Sequence, residues 1–290
     1  MSRGARRADR PQPSENSPRA ILARHGIRPS RRKGQSFLIQ PGIAQRIALA
    51  AEIPPRAGVI EIGPGLGILT RALAPRCARL IAIEVDPRLA GILREEEPLP
   101  ENVEILEGDA VKADYAALAK RLRGPRLIVA NLPYAVSTPL LFRFLEAGPL
   151  FTRWVLMLQR EVADRILAKP GTKAYGAPSV TLRLFSEVKR LFNVGPANFY
   201  PRPEVASSVL RFDLRPARAA GVKDPALLRA VVREAFGQRR KTLANALAAR
   251  LPGDGRAFLR EAGIDPKARG ETLSPEDFAR LSNALSGAGN

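Results

Sequence analysis

Four stretches of the sequence place polar or glycine residues at the end of a short apolar run. They are the glycine-rich stretch EIGPGLG (61–67), Glu84 in LIAIEVD, Asp109 in EGDA, and the turn Asn131-Leu132-Pro133-Tyr134 after LIVA. The apolar runs are typical of buried strands. Because the carboxyl ends of parallel strands meet at one edge of a sheet, where ligands bind, we expect these residues to form one site.

The glycine-rich stretch favours a nucleoside-type ligand. Glycines let a backbone approach a ligand closely, and Gly63, Gly65 and Gly67 follow the spacing G-x-G-x-G. A dinucleotide-binding loop has the spacing G-x-G-x-x-G, and here Ile68 occupies the last glycine position. An NAD-dependent dehydrogenase is therefore a disfavoured alternative.

Two acidic residues stand at the ends of the second and third of these runs. A carboxylate at the position of Glu84 can accept hydrogen bonds from both hydroxyls of a ribose. Asp109, at the end of the next run, can accept a hydrogen bond from an adenine amino group. The alternative interpretation of Glu84 is a solvated carboxylate at a strand end.

The turn Asn131-Leu132-Pro133-Tyr134 is suited to holding an exocyclic amine. The Asn131 side-chain carbonyl and the following main-chain carbonyls can accept its hydrogen bonds, and Pro133 makes the turn rigid. Tyr134 can stack on the base that carries the amine. Such a site needs no strong general base, because orientation and carbonyl dipoles supply the catalysis. The alternative is an ordinary turn, since Asn and Pro both end strands.

The elements that must position these residues alternate along the chain. Helix-like patterns separate five strand-like runs, at 58–63, 79–86, 102–109, 126–131 and 153–159. This alternation predicts an α/β fold with a mostly parallel sheet. Residues 186–195 and 207–216 have no helix between them and are expected to form an antiparallel edge. The chain is then wholly helical, and Ser274, Pro275 and Asp277 are typical of a capped helix start.

Composition limits the possible chemistry and indicates a polyanionic partner. The 290 residues carry 47 Lys and Arg against 28 Asp and Glu, a net charge of +19. One Cys and one His exclude an intramolecular disulfide and disfavour a metal site, so no metal is expected. The sequence lacks an apolar run long enough for a membrane span, and we expect a cytoplasmic protein. Basic residues cluster in residues 1–33 and again at Arg239, Arg240 and Lys241, where we expect contact with RNA phosphates.

Nine blocks of the sequence, in their order and spacing, resemble the ribosomal RNA adenine dimethyltransferase family. The resemblance covers about residues 30 to 285, and its small-subunit members are the most similar. The blocks are GQSFL, EIGPGLG, IEVD, GDA, NLPY, KAYGAPSV, NFYPRPEVASSV, FGQRRKTL and RGETLSPEDFARL.

This resemblance implies a class I methyltransferase (Rossmann-like) fold and S-adenosylmethionine (AdoMet) as the methyl donor. The implied reaction is dimethylation of the exocyclic amines of two adjacent adenines in 16S rRNA, within an immature 30S subunit, by a monomer. The polar, proline-containing and basic composition of residues 1–33 predicts a flexible arm, and the change to a wholly helical pattern predicts a boundary after residue 216. The resemblance then implies an AdoMet-dependent methyltransferase domain (34–216) and a helical RNA-binding domain (217–290).

The resemblance also assigns roles to individual residues. The residues expected to bind AdoMet are Gln35, Ser36, Leu38, Gly63, Gly65, Glu84, Asp109, Ala110 and Asn131. The residues expected to hold the target adenine are Asn131, Leu132, Pro133, Tyr134 and, on the other side of the base, Phe199. Ser36 departs from the family, which usually has Asn there. Without the resemblance, Phe199 can equally be a loop aromatic that packs on the sheet.

Two further functions remain open from sequence alone. One is a large-subunit rRNA methyltransferase of the antibiotic-resistance type, which the NLPY, FGQRRKTL and GETLS blocks disfavour. The other is a mainly non-catalytic ribosome-assembly or transcription factor on the same fold, which the intact acceptor and stacking residues disfavour.

Overall fold

A seven-stranded sheet forms the centre of the protein. The structure, a computed structural model, describes residues 17–29, 35–95, 99–215 and 221–288. The strand order is β4-β3-β2-β5-β6-β9-β7. The strands are β2 (Gly58–Ile62), β3 (Arg79–Glu84), β4 (Val103–Glu107), β5 (Arg126–Asn131), β6 (Arg153–Gln159), β7 (Ser186–Val194) and β9 (Ser207–Leu214). A separate pair consists of β1 (Phe37–Leu38) and β8 (Phe199–Tyr200).

The predicted strand directions are confirmed. Strands β4, β3, β2, β5 and β6 are parallel, so their carboxyl ends lie at one edge of the sheet. Strand β9 pairs antiparallel with β6 and with β7, which forms the edge. Parallel strands covered on both faces read as continuous apolar runs, and this explains why the sequence pattern identified them.

Helices cover both faces of the sheet. On one face Val59, Leu127 and Val155 pack with helices α2 (Pro41–Ala50) and α3 (Ile68–Leu73). On the other face Ile60 and Trp154 pack with α5 (Tyr115–Lys120) and α6 (Ser137–Glu146). Consecutive residues of each strand therefore face opposite cores, as the strand period of two requires. The helices of this domain are α2 (Pro41–Ala50), α3 (Ile68–Leu73), α4 (Pro87–Glu95), α5 (Tyr115–Lys120), α6 (Ser137–Glu146), α7 (Arg160–Leu167) and α8 (Ala177–Phe185).

Part of the predicted flexible arm is ordered. Helix α1 (Pro18–Arg24) begins at Ser17, whose side chain accepts a hydrogen bond from the Ala20 N–H. Leu22 and Ile27 are buried against Phe37 and against α4. The prediction of flexibility is therefore wrong for residues 17–29, because apolar side chains anchor them to the domain. Residues 1–16 and 30–33 of the predicted arm lie outside the described residues.

The C-terminal helices share their core with the end of the sheet domain. They are α9 (Pro225–Gly237), α10 (Leu243–Ala246), α11 (Gly255–Glu261) and α12 (Pro275–Ala288). Their apolar cluster includes Tyr175, Val180 and Leu184, which precede the predicted boundary at residue 216. The predicted cap of α12 is present, since Ser274 Oγ accepts from the Asp277 N–H and Asp277 Oδ2 accepts from the Ser274 N–H.

Within the described ranges, no helix combines the length and apolar character that crossing a membrane requires.

The hydroxyl of Tyr175 provides a test of the contact between the two parts. It donates to the Leu273 carbonyl at 2.8 Å, and Tyr175 is fully buried. Tyr175→Phe keeps the ring but leaves this carbonyl without its donor, so we expect unfolding to become easier by about 1–3 kcal/mol. Urea unfolding measures the change, with Tyr115→Phe, which also loses a buried hydroxyl donor but within the sheet domain, as a reference. Unchanged stability in Tyr175→Phe would show that the bond contributes nothing.

Candidate active site

A cavity of about 390 Å³ opens at the carboxyl ends of the parallel strands. Of the thirteen residues predicted to bind cofactor or target base, twelve line it. They are Gln35, Ser36, Leu38, Gly63, Gly65, Glu84, Asp109, Ala110, Asn131, Leu132, Pro133 and Tyr134. The volume lies within the range of small-molecule sites. The fold therefore brings together residues that are distant in sequence, as the strand-end argument requires.

The glycine-rich loop after β2 forms the floor of the cavity. Gly63 and Gly65 have φ angles of +64° and +60°, which side-chain-bearing residues rarely adopt. A Cβ on Gly65 would lie 2.9 Å from the Phe37 ring, so β1 lies directly against this loop. A Cβ on Gly63 would lie 3.4 Å from the ring of Pro133, so the loop also adjoins the Asn131–Tyr134 turn.

Glu84 ends β3 with its carboxylate held by the backbone. The residue is 4% exposed, Oε2 accepts from the Gly65 N–H at 3.2 Å, and Oε1 accepts from the Asp86 N–H at 3.0 Å. Burial raises the pKa of Glu84, and these backbone hydrogen bonds oppose the rise. Each carboxylate oxygen has further lone pairs, so the group can still accept from a ligand hydroxyl.

Asp109 and Ala110 form the wall beyond β4. Asp109 is exposed, and its Oδ1 accepts from the Val111 N–H at 2.9 Å. The Ala110 carbonyl accepts from the buried Tyr115 hydroxyl at 2.8 Å, which fixes the backbone here. The second Asp109 oxygen is thus available to a ligand in the cavity.

The turn after β5 is anchored at several points. The Leu132 N–H donates to the Met157 carbonyl of β6 at 3.1 Å, and the Val136 N–H donates to the Pro133 carbonyl at 3.2 Å. The Tyr134 hydroxyl lies 2.8 Å from Ser207 Oγ. Within the described ranges, the Asn131 side chain has no hydrogen-bond partner, although it lines the cavity. Its amide is therefore available to a ligand.

Phe199 is the one residue of the predicted set that does not line this cavity, and its contact with a base stays a prediction. It is 3% exposed and is paired with Leu38 across the β1–β8 sheet. Its side chain lies in the same apolar cluster as Leu38 and Val194. The physical reason is that an aromatic ring in a strand pair over an apolar core gains more from burial than from exposure. Without a bound base, Phe199 packs on the sheet, as the alternative interpretation has it.

Ser36, the departure from the family pattern, bonds within the protein. Its hydroxyl donates to the Pro201 carbonyl at 2.7 Å. The bond joins the segment before β1 to the segment after β8. Ser36 also lines the cavity, so it contributes to the wall while connecting two segments far apart in sequence.

Glu61 is a cavity residue that the sequence analysis missed. It lies within β2, is 1% exposed, and its Oε2 has no hydrogen-bond partner among the described residues. Burial, together with the nearby Glu84 carboxylate, raises its pKa to about 8. The signal that could have found it is an acidic residue inside an otherwise apolar strand, because such a charge is costly to bury.

The three basic residues predicted to contact RNA are exposed but differ in their contacts. The Arg239 guanidinium donates to the carbonyls of Lys173 and Tyr175, and it pairs with Glu271 at 3.2 Å. Arg239 therefore connects the C-terminal helices to the segment before α8. Arg240 and Lys241 are exposed at the end of α9.

The fold and the cavity define a class I methyltransferase. A family model described as ribosomal RNA adenine dimethylase matches residues 28–286. The chain belongs to this family. The predicted family, fold class and enzyme class, an rRNA adenine dimethyltransferase, are confirmed, and the dehydrogenase alternative is excluded.

Individual relatives agree with the family match. A protein of Pelotomaculum thermopropionicum named ribosomal RNA small subunit methyltransferase A is 46% identical over 283 residues, covering 93% of this chain and 96% of the relative. A protein of the same name from Bacillus cytotoxicus is 43% identical over 279 residues, with the same coverage. The crystal structure of a dimethyladenosine transferase from Plasmodium falciparum matches with a TM-score of 0.74 at 27% identity, covering 87% of this chain and 98% of that one. The 23S rRNA methyltransferase ErmE matches with a TM-score of 0.64 at 28% identity, covering 86% and 99%.

The buried Glu61 carboxyl makes stability depend on pH. Its pKa is raised from 4.5 to about 8 in the folded protein, so the folded state holds a proton that the unfolded state releases. Its contribution is fully present below pH 4.5 and is lost as pH rises through about 8, at up to about 1.4 kcal/mol per pH unit. We expect Glu61→Gln to flatten this decline. Urea unfolding of the protein without added ligand at several pH values between 5 and 8 measures it, and parallel profiles for the two proteins would contradict the shift.

Proposed function

We propose that the cavity binds AdoMet and that the protein dimethylates two adjacent adenines of 16S rRNA. The observation that carries this proposal is a single cavity that joins the acidic strand ends to the Asn131–Tyr134 turn. The hydrogen-bond acceptors that line the cavity fit the polar groups of the cofactor. Glu84 and Asp109 can accept from the ribose and the adenine amino group, and the orphaned Glu61 oxygen can accept from the ammonium group of the methionine part.

The turn after β5 holds the target amine in this proposal. The Asn131 side-chain carbonyl and the Leu132 carbonyl accept its two N–H groups, which aims the nitrogen lone pair into the cavity. Tyr134 stacks on the base, and Pro133 fixes the distance between the two carbonyls. Phe199, paired with Leu38 across the β1–β8 sheet, is proposed to contact the base from the other side.

The chemistry needs orientation more than proton transfer. Bound AdoMet supplies a methyl group made electrophilic by its sulfonium. The carbonyl dipoles at Asn131 and Leu132 face the positive charge that develops on the amine nitrogen. Holding the nitrogen in line with the methyl group converts a bimolecular reaction into an effectively unimolecular one. The amine becomes acidic as it is alkylated and loses its proton to water.

Relatives support the small-subunit substrate. The two relatives described above, at 46% and 43% identity, are named as small-subunit enzymes, whereas the 23S rRNA methyltransferase is 28% identical. We propose that the protein acts in the cytoplasm as a monomer on an immature 30S subunit. Arg240 and Lys241, exposed in the turn between α9 and α10, are placed to contact its phosphates.

Transfer of labelled methyl groups from AdoMet to purified unmethylated small subunits tests the function. We expect incorporation at two adjacent adenines, mapped by mass spectrometry of nuclease fragments. Incorporation into naked large-subunit RNA instead would favour the resistance-type function. Tight binding of small subunits without methyl transfer would favour an assembly factor.

Asn131→Ala tests the proposed hydrogen bond between the Asn131 side chain and the target amine. We expect turnover to fall by about 10²-fold or more, because removing one preorganised polar group at a reacting centre has an effect of this order. AdoMet affinity, measured by calorimetry, should change far less than turnover, because most of the proposed cofactor contacts lie on other residues. Asn245→Ala, on the exposed surface of α10, is the matched control and should keep full activity. A near-normal rate in Asn131→Ala would show that Asn131 does not orient the target amine.

Glu84→Ala tests the cofactor half of the site. The ligand loses charge-assisted hydrogen bonds, so AdoMet affinity should fall on the order of 10- to 100-fold. Glu107→Ala, at the end of the neighbouring strand and paired with Arg94 on the surface, is the control. Calorimetric titration measures both, and equal dissociation constants in Glu84→Ala and the wild-type protein would disprove the contact.

A further inference from the structure

Ser207 lies beneath the target half of the cavity but does not line it. It is the first residue of β9, paired with Gln159 of β6 and Val194 of β7, and its exposure is 0%. A residue with strand partners on both sides has little freedom to move. The Ser207 side chain is therefore a fixed point in the sheet.

The hydroxyl of Tyr134 reaches this fixed point. Its oxygen lies 2.8 Å from Ser207 Oγ, while the ring lines the cavity. The backbone of the same residue is held at its other end, since Ser137 Oγ donates to the Tyr134 carbonyl at 3.2 Å. The hydroxyl lies on the long axis of the ring, so the hydrogen bond fixes the direction of that axis.

We propose that Ser207 is a positioning residue, which holds the Tyr134 ring in the direction that the target base needs for stacking. The proposal depends on the proposed role of Tyr134. Without this bond, Tyr134 is a half-buried side chain at the mouth of an open cavity, and its ring can take other rotamers. Only the fraction of molecules with the ring in place would then bind the base productively.

The expected effect is on turnover. A misplaced stacking surface shifts the base relative to the methyl donor, and shifts of about 1 Å can lower rates by 10²-fold. Since the ring still visits the correct rotamer, we expect Ser207→Ala to lower kcat about 10-fold. AdoMet binding, which uses the other half of the cavity, should not change.

The matched control is the next residue of the strand. Ser208 is equally buried, but its Oγ donates to Asn193 Oδ1 at 2.7 Å and has no contact with Tyr134. Ser208→Ala removes a buried hydroxyl from the same strand and should leave kcat unchanged. An equal loss of kcat in both variants would indicate a general disturbance of β9 and would overturn the proposal.

A double-mutant cycle measures whether the effects of Ser207 and Tyr134 on kcat depend on each other. A general structural role of Ser207 would not produce such coupling. Ser207→Ala and Tyr134→Phe remove the same hydrogen bond from its two ends. Each single variant should lose kcat to a similar extent, and the double variant should lose no more than either. Losses that multiply in the double variant would overturn the proposal, as would wild-type kcat in Ser207→Ala. If Ser207→Ala fails to fold, wild-type kcat in Tyr134→Phe overturns it equally.

Two reference measurements distinguish this proposal from the proposed function. The wild-type protein must transfer labelled methyl groups to small subunits. If it transfers none, both the proposed function and the proposed role of Ser207 are wrong. Tyr134→Ala should lose more turnover than Tyr134→Phe, because it removes the stacking ring itself. Loss in Tyr134→Ala together with full activity in Ser207→Ala would leave the function standing and overturn the role of Ser207 alone.

Discussion

One hydrogen bond, from the Gly65 N–H to the Glu84 carboxylate, joins the loop after β2 to the end of β3. The loop can make it only because Gly65 adopts a positive φ, and Phe37 occupies the space that a side chain there would need. The bond therefore fixes the floor of the cavity, its acidic wall and the β1 segment that covers it. The Glu84 carboxylate is therefore held by backbone N–H groups, those of Gly65 and Asp86, rather than by other side chains.

The two halves of the cavity are built in different ways. The half beside β2, β3 and β4 follows from parallel strands, whose ends supply acids at one edge. The other half depends on the antiparallel addition to the sheet, because the turn after β5 is tied to β6 through Leu132 and to β9 through Tyr134. Strand β9, which runs antiparallel to β6, thus supports the site although its residues do not line the cavity. In the proposed function, the antiparallel addition supports the surface for the target base, and the parallel strand ends hold the cofactor.

The sequence predicted the sheet and most of the cavity because both follow from local patterns. The main strands are continuous apolar runs that end within two residues of their predicted limits, and the site residues follow these ends directly. Three features did not follow from local patterns. Phe199 is buried because β8 meets β1, more than 160 residues away in sequence. Helix α1 was not predicted because its stretch of the sequence is rich in arginine and contains few apolar residues, of which Leu22 is one. Glu61 was missed because an acid inside a strand has no motif of its own.

The shared core of α8 and the C-terminal helices has a consequence for recombination. Tyr175, Val180 and Leu184 precede the predicted boundary at residue 216, yet they pack among residues that follow it. A chimaera joined at that boundary would combine these side chains with a foreign partner surface. Since α8 continues directly into β7, the mismatch would reach the edge of the sheet. Homologues can therefore exchange their C-terminal helices only together with compatible residues in 175–184, so the two regions are expected to diverge jointly.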